Sequence, residues 1–216
     1  MWPDWAWNVQ AADLCINEQT PAMSSFWQQL PRPLIGLAPM DGVGDHAFRQ
    51  IQAAVGQPAV VYTDFTRVEG LCRARQATVL RNFIYDEAQR PIVAQVYGCD
   101  PDAFRQAAIL LCQLGFDGID INFGCPSKGV ANGGAGAGMI RTPALAQAVV
   151  RATQAGVAEW GNGATVRDCS DIHPNVAAEV ERRAAHLPRG VCGRRPIPVS
   201  IKTRIGYDEE LSLIHI

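Results

Sequence analysis

The sequence predicts an α/β fold, in which strands and helices alternate along the chain. Five short apolar stretches are separated by segments with helical character, and no two of these stretches are close enough to form a hairpin. At 216 residues with 48% hydrophobic residues, the chain is long enough to bury one sizeable core. These observations favour a parallel sheet covered by helices.

The predicted strands are short and apolar enough to be buried in a parallel sheet. They are LIGLAPM (34–40), AVVYTDF (59–65), PIVAQVYG (91–98), GIDINFG (118–124) and PVSIKTRIG (198–206). Four helices are predicted between them. Asp100-Pro101 starts a helix that should end near Gly115, and Thr142-Pro143 starts one that should end near Gly156. Residues 45–55 and roughly 70–83 supply the other two.

Two architectures fit this order, an open doubly wound sheet and a (β/α)8 (TIM) barrel. An open nucleotide-binding sheet usually carries G-x-G-x-x-G after its first strand, whereas this strand is followed by PMDGVGDHAF. Functional residues of a barrel lie at the carboxyl ends of its strands, where Gln95, Asp120, Asn122, Lys202 and Arg204 cluster. We therefore predict a barrel with only about the first five of its eight strands present.

The chain divides into three parts on this interpretation. Residues 1–32 form an N-terminal extension, of which 1–22 are not native if Met23 is the true start. Residues 33–210 form the partial barrel, with an insertion at about 157–197 that contains its own helix near 175–187. Residues 211–216 (LSLIHI) equal the translation of a transposase adapter sequence, so we expect a non-native tail.

Composition excludes few functions. The net charge of −2 neither requires nor excludes a nucleic-acid partner. The seven cysteines contain no C-x-x-C pair, so no metal is expected. Their odd number, without a secretory signal, favours a reduced cytoplasmic location. No apolar run approaches the ~18 residues of a membrane span.

Cys125 is the residue whose chemistry is most open. It follows the fourth predicted strand directly and precedes Pro126, so it lies on a βα loop. A nucleophilic cysteine requires a paired base, and neither His46, His173 nor His186 has a motif that argues for pairing. A free thiol is mostly protonated at neutral pH and can donate a proton. The remaining alternative is an inert, small apolar residue.

Strand alternation places further polar residues together. Lys202 and Arg204 share one face of their strand, and Asp120 and Asn122 share one face of theirs. They form either an internal structural ion pair or a polar pocket for an anionic or carbonyl-rich ligand. The side-chain amide of Gln95 would form hydrogen bonds either with a planar imide of a ligand or with neighbouring backbone groups. The loop NGGAGAG (132–138) lacks the ending of a P-loop, so its glycines permit either tight turns or close approach by a flat ligand.

Taken together, four ordered motifs resemble those of the tRNA-dihydrouridine synthase family. They are LAPMDGV, VAQVYG, IDINFGCPSKGVANGGAGA and VSIKTRIG, and the resemblance covers about residues 33–207, interrupted by the insertion. The resemblance implies an FMN-binding (β/α)8 barrel that reduces the C5=C6 bond of a D-loop uridine in tRNA with NADPH. The loops that hold the flavin phosphate lie outside these motifs, so we expect this chain by itself to be inactive.

The resemblance also implies roles for individual residues. Pro39, Met40, Asp41, Gln95 and Lys202 would contact the flavin, with the Lys202 ammonium near its N1/O2 region. Cys125 would be the general acid that protonates uracil C5. Substrate contacts would come from four further residues: Asn122 and Arg204 on the uracil carbonyls, and Arg67 and Lys128 on the tRNA.

Two other functions stay open at this point. One is an FMN-dependent barrel reductase of a free pyrimidine or an enone, and the other is an inactive RNA-binding fragment.

Overall fold

The computed structural model describes residues 25–191 and 193–207. The expected non-native segment 1–22, the alternative start at Met23 and the tail 211–216 lie outside these described residues. Within them the chain forms one parallel sheet with helices packed on its outer side.

Six strands make up the described sheet: β1 (Gly36–Leu37), β2 (Val60–Tyr62), β3 (Thr66–Arg67), β4 (Ile92–Tyr97), β5 (Gly118–Phe123) and β6 (Val199–Thr203). The order is β1-β2-β4-β5-β6, and every described pairing is parallel. Neighbours in the sheet are thus neighbours in the chain, as in a barrel wall that adds one strand at a time. The predicted α/β class and the partial (β/α)8 barrel are confirmed.

Strand β3 is not among the predicted strands, because it lies directly after the second of them (59–65), of which only Val60–Tyr62 is strand. Both β2 and β3 pair with β4, but four residue steps separate Tyr62 from Thr66 while only three separate Val93 from Val96. The extra residue is a bulge, which bends the strand and changes where its side chains point. This bend lies at the end of β2 nearest the polar residues of the sheet.

Seven α-helices are described: α1 (Phe26–Gln29), α2 (His46–Val55), α3 (Val68–Arg73), α4 (Pro101–Gln113), α5 (Lys128–Ala131), α6 (Pro143–Gly161) and α7 (Pro174–Ala184). The predicted start of α4 is confirmed, with the Asp100 carboxylate accepting from the N–H groups of Asp102 and Ala103. The predicted helix over 70–83 is instead α3 followed by a 3₁₀ helix, Ala77–Phe83.

The expected end of α6 near Gly156 is wrong, since the helix continues to Gly161. Gly156 is buried where α6 crosses α4. A β-carbon there would lie 2.1 Å from the carbonyl oxygen of Arg105 and 2.9 Å from Cβ of Ala108. The glycine therefore permits close helix packing and does not terminate the helix.

The segment between α6 and β6 is packed against the rest of the molecule. Its helix α7 contributes Val176, Ala177 and Val180 to the core, and the turn before it contributes Val166 and Ile172. The helix predicted near 175–187 is thus present over Pro174–Ala184. This segment forms an additional layer outside α4, and its status as an insertion stays a prediction.

Candidate active site

The inner, concave face of the sheet carries polar side chains at the carboxyl ends of β4, β5 and β6. The strand register places Gln95 beside Asp120 and Asp120 beside Ser200. One pleat further along, Asn122 lies beside Lys202. The alternating residues Ile119 and Ile121 face the other way, into the core beneath the helices. The predicted sharing of a face is confirmed for these residues.

Asp120 is bound to neutral partners. It accepts hydrogen bonds from Gln95 Nε2 at 2.6 Å and from Ser200 Oγ at 2.6 Å. Burial raises its pKa, and these hydrogen bonds and the nearby charge of Lys202 oppose that effect only in part. In the described residues no cation lies within ion-pair distance of Asp120, so the first of the two alternatives, an internal ion pair, is not formed by Asp120.

Gln95 has no exposed surface, and its amide is already engaged on both sides. Besides donating to Asp120, it accepts from Asn122 Nδ2 at 3.0 Å. One N–H and one lone pair of the amide remain for another partner. A direct contact of Gln95 with a flavin stays a prediction.

Asn122 connects this network to the cysteine loop. Its Oδ1 accepts from the backbone N–H groups of Gly124 and Cys125, both at 2.9 Å. A single buried carboxamide thus sets the direction of the chain where it leaves β5. The Cys125 thiol is consequently held at the carboxyl end of the strand, partly exposed to solvent.

The glycine loop closes over the backbone of Cys125. Ala137 N–H donates to the Cys125 carbonyl at 3.0 Å, and Gly136 has a positive φ of 55°. A β-carbon on Gly136 would lie 2.8 Å from that same carbonyl oxygen. Of the two explanations for these glycines, tight turns apply here, because protein atoms fill the space around Gly136.

The histidines are occupied elsewhere. His46 contacts Gln89 and Asp86, His173 accepts from the N–H of Asn175, and His186 contacts the Arg182 carbonyl. Within residues 25–191 and 193–207, no imidazole is hydrogen-bonded to Cys125. The described residues therefore offer no histidine as the general base of a nucleophilic thiol.

The predicted flavin-lining residues Pro39, Met40 and Asp41 lie in the loop after β1. This loop turns on the Met40 carbonyl, which accepts from Val43 N at 3.0 Å and Gly44 N at 2.7 Å. The carboxylate of Asp64, which follows β2, lies next to Gly42 and Gly44 of this loop. Sequence reasoning missed Asp64 as a support for this loop.

Asp64 is itself an unusual buried group. Only 6% of its surface is exposed, and its Oδ1 has no hydrogen-bond partner among the described residues. Burial raises its pKa, and the nearby guanidinium of Arg49 opposes this. Arg49 is fully buried and donates to Gln89 Oε1 at 3.2 Å and to the carbonyl of Gly44. Arg49 and Asp64 thus both pack against the buried side of the loop after β1.

The predicted cations lie around the same end of the sheet but do not converge on one atom. Lys202 and Arg204 are exposed beside β5, and the side chain of Arg204 lies next to Gly124. Lys128 is exposed at the first position of α5. Arg67 is beside Tyr97 in the register of β3 and β4.

Arg67 is held in place by Glu69, with Nε donating to Oε2 at 2.9 Å. Glu69 is buried and also accepts from the backbone N–H groups of Cys99 and Asp100. Burial raises the pKa of the Tyr97 phenol, Arg67 lowers it, and Asp41 and Cys125 raise it further. Tyr97 therefore lies among three predicted site residues, although the sequence alone did not single it out.

The donor set on the concave face fits a flavin chemically. Amides that can pair with an imide edge, a cation for its N1/O2 region and a thiol lie at neighbouring strand ends. Among the described residues there is no group of three or more His, Cys, Asp or Glu side chains that could hold a metal ion. No described helix is long and apolar enough to cross a membrane.

A parallel half-barrel with such side chains at the carboxyl ends of its strands defines a class, the (β/α)8-barrel enzymes. Comparison with known proteins gives the family. The sequence model of the family described as Dihydrouridine synthase (Dus) matches residues 36–167, more than half of the chain. The chain belongs to the dihydrouridine synthase family, as the four motifs predict.

Named relatives agree with this assignment. The chain is 40% identical over 186 residues to a probable tRNA-dihydrouridine synthase of Staphylococcus aureus (strain COL), covering 86% of this chain and 45% of that protein. It is 41% identical over 133 residues to the probable tRNA-dihydrouridine synthase 2 of Bacillus subtilis (strain 168), covering 61% of this chain and 41% of that protein. The chain thus spans less than half the length of these relatives.

Proposed function

We propose that this chain carries the catalytic cysteine of a tRNA-dihydrouridine synthase, which reduces the C5=C6 bond of a D-loop uridine in tRNA. The observation that carries the proposal is the Asn122 carboxamide, which fixes the backbone of Cys125 beside the polar concave face. Family membership and the names of the relatives support the reaction class.

The reaction would use FMN and NADPH. FMN, once bound, would pass the reducing equivalents of NADPH to the uridine. Pro39, Met40 and Asp41 would form one wall for it, and Gln95 would offer its remaining amide N–H and lone pair. The ammonium of Lys202 would stabilise negative charge on the ring system.

The remaining residues would act on the uridine. Asn122 has used Oδ1 on the cysteine loop, so only its Nδ2 is available to a uracil carbonyl, next to its bond with Gln95. Arg204 would hold the second carbonyl. Cys125 would donate the thiol proton to C5 while the hydride arrives at C6, which leaves a thiolate to be reprotonated from solvent.

The proposal includes contacts with tRNA and a cellular setting. Arg67, fixed by Glu69, and the exposed Lys128 would contact phosphate. Five unpaired cysteines among the described residues are compatible with a reducing cytoplasm. No metal takes part in this scheme.

The test is the dihydrouridine content of tRNA from cells that carry the intact gene with Cys125→Ala as their only synthase. We expect the content to fall to the level of cells without the gene, because a methyl group cannot donate a proton. Cys99→Ala is the matched control, since the Cys99 thiol only contacts Glu69 Oε1 at 3.6 Å. Unchanged dihydrouridine in the Cys125→Ala cells would remove this residue from its role.

A further inference from the structure

A second polar feature lies outside the concave face. A groove with a volume of about 570 Å³ runs between β3, the loop after α3 and the 3₁₀ helix Ala77–Phe83. Its polar lining consists of Thr66, Arg75, Gln76, Thr78, Arg81 and Asn82. None of the described residues that line it carries a carboxylate, so the groove presents cations and neutral hydrogen-bonding groups only.

The two arginines of this groove form no ion pair within the described part of the chain. Arg75 and Arg81 are both exposed, and in the described ranges no carboxylate lies within ion-pair distance of either. The other two arginines of this part of the sequence do form ion pairs, Arg67 with Glu69 at 2.9 Å and Arg73 with Asp100 at 3.3 Å. Residues 66–82 contain four Arg and one Glu, a net charge of 4 − 1 = +3 in a chain of net charge −2. Free positive charge is therefore concentrated here.

The composition of the lining matches one kind of ligand. Phosphate groups of nucleic acids are contacted mainly by Arg and Lys, together with Ser, Thr, Asn and Gln side chains. The groove is open and its arginines are exposed, which suits a chain that passes through it better than a small enclosed ligand. Thr66 lines the groove and is followed in the sequence by Arg67, the predicted tRNA contact. The groove therefore adjoins that predicted contact.

The walls of the groove are held by hydrogen bonds. Asn82 Nδ2 donates to Thr66 Oγ1 at 3.2 Å and joins its two sides. From α7, Asn175 Nδ2 donates to the Arg75 carbonyl at 3.3 Å and Arg183 Nη1 to the Leu80 carbonyl at 3.1 Å. The additional layer outside α4 thus supports the backbone that carries both arginines.

We propose that this groove binds the phosphodiester backbone of the RNA substrate, with Arg75 and Arg81 as its phosphate contacts and α7 as its support. The proposal rests on the proposed function for the identity of the RNA. It assigns a role to the segment before β6, whose purpose the sequence left open.

The experiment measures binding of a labelled, unmodified tRNA transcript to the 216-residue chain by fluorescence anisotropy over a salt series. The groove variant is Arg75→Gln/Arg81→Gln. The matched control, Arg32→Gln/Arg151→Gln, makes the same change in net charge at two exposed arginines away from the groove. All three proteins should give the same circular dichroism spectrum, because only exposed side chains are changed.

We expect the groove variant to lose about tenfold or more in affinity, and the slope of log affinity against log salt to become shallower by about one to two. The control should stay within about twofold of the original chain. Equal affinity and slope in the groove variant would overturn the proposal, as would an equal loss in the control. Tight, groove-dependent binding of poly-aspartate in place of tRNA would also overturn it, in favour of an acidic protein partner.

Failure of this proposal can be told apart from failure of the proposed function. Cys125→Ala should bind the transcript like the original chain, since the thiol makes no phosphate contact. The dihydrouridine assay reports on Cys125, and the binding assay reports on the groove. Either result can therefore be negative while the other stands.

Discussion

Asp120 shows how single residues of the site combine stability with chemistry. Its carboxylate is buried on the concave face and accepts from Gln95 and Ser200, and Gln95 is in turn bound to Asn122. Asn122 directs the cysteine loop. The position of the thiol therefore depends on a chain of buried polar contacts whose acidic member has a raised pKa.

This raised pKa predicts a pH dependence of stability. A carboxyl group whose pKa is higher in the folded than in the unfolded chain binds more protons when folded, so its contribution to stability decreases as pH rises. The decrease should begin near the unfolded value of ~3.9 and continue through the folded value. Asp120→Asn cannot titrate and should remove this component.

The measurement is the free energy of urea unfolding of both proteins at a series of pH values. We expect the difference between the original chain and Asp120→Asn to shift in favour of the variant as pH rises. Comparing the two cancels other groups, such as Asp64, whose pKa is also raised. Parallel curves for the two proteins would contradict the assignment.

At the scale of elements, the crossing of α4 and α6 is the contact most sensitive to a single atom. Gly156 lets the backbone of α4 approach so closely that a β-carbon would lie 2.1 Å from the Arg105 carbonyl oxygen. Because that neighbour is backbone rather than a flexible side chain, the clash can be relieved only by separating the helices.

Gly156→Ala should therefore destabilise the fold by about 1–3 kcal/mol, although alanine is the better helix former. Gly161→Ala is the matched control, since nothing lies within 4 Å of the β-carbon it would add at the end of α6. It should be neutral or stabilising by up to ~1 kcal/mol. Urea denaturation of both variants measures the difference, and a loss of the same size in both would refute the packing argument.

At the scale of the whole molecule, the described sheet is curved but open. Apolar residues are exposed at both of its edges, among them Ile35, directly before β1, at 70% and Ile201, in β6, at 46%. Helix α2 likewise exposes Val55 at 82%. Lys202, on the edge strand β6, and Arg204, directly after it, are exposed to solvent, where a cation interacts weakly with a ligand.

We accordingly expect the purified 216-residue chain to bind FMN poorly and to be inactive. The measurement is the flavin absorbance of the protein after incubation with excess FMN and gel filtration, relative to its protein absorbance. A yellow protein with one flavin per chain would contradict this expectation.

Much of the fold follows from local sequence signals. Buried parallel strands are apolar runs, and helix starts such as Asp100-Pro101 carry their own hydrogen-bonding groups, so five strands and the start of α4 could be predicted. The break between β2 and β3 could not, because a bulge depends on the register with β4. The meaning of Gly156 depended in the same way on a partner helix remote in sequence.

The sequence by itself determined the family, the curved parallel sheet and the cluster of polar residues at its carboxyl end. Those properties reside in motifs and in alternation along single strands, which need no knowledge of distant residues. Only the tertiary structure decided which partners these residues have: Asp120 with Ser200, Asn122 with the cysteine loop, and Glu69 with Arg67. It also decided that α7 supports the groove that contains Arg75 and Arg81. Hydrogen bonds and close packing between elements depend on three-dimensional distance, and one sequence read alone carries no record of it.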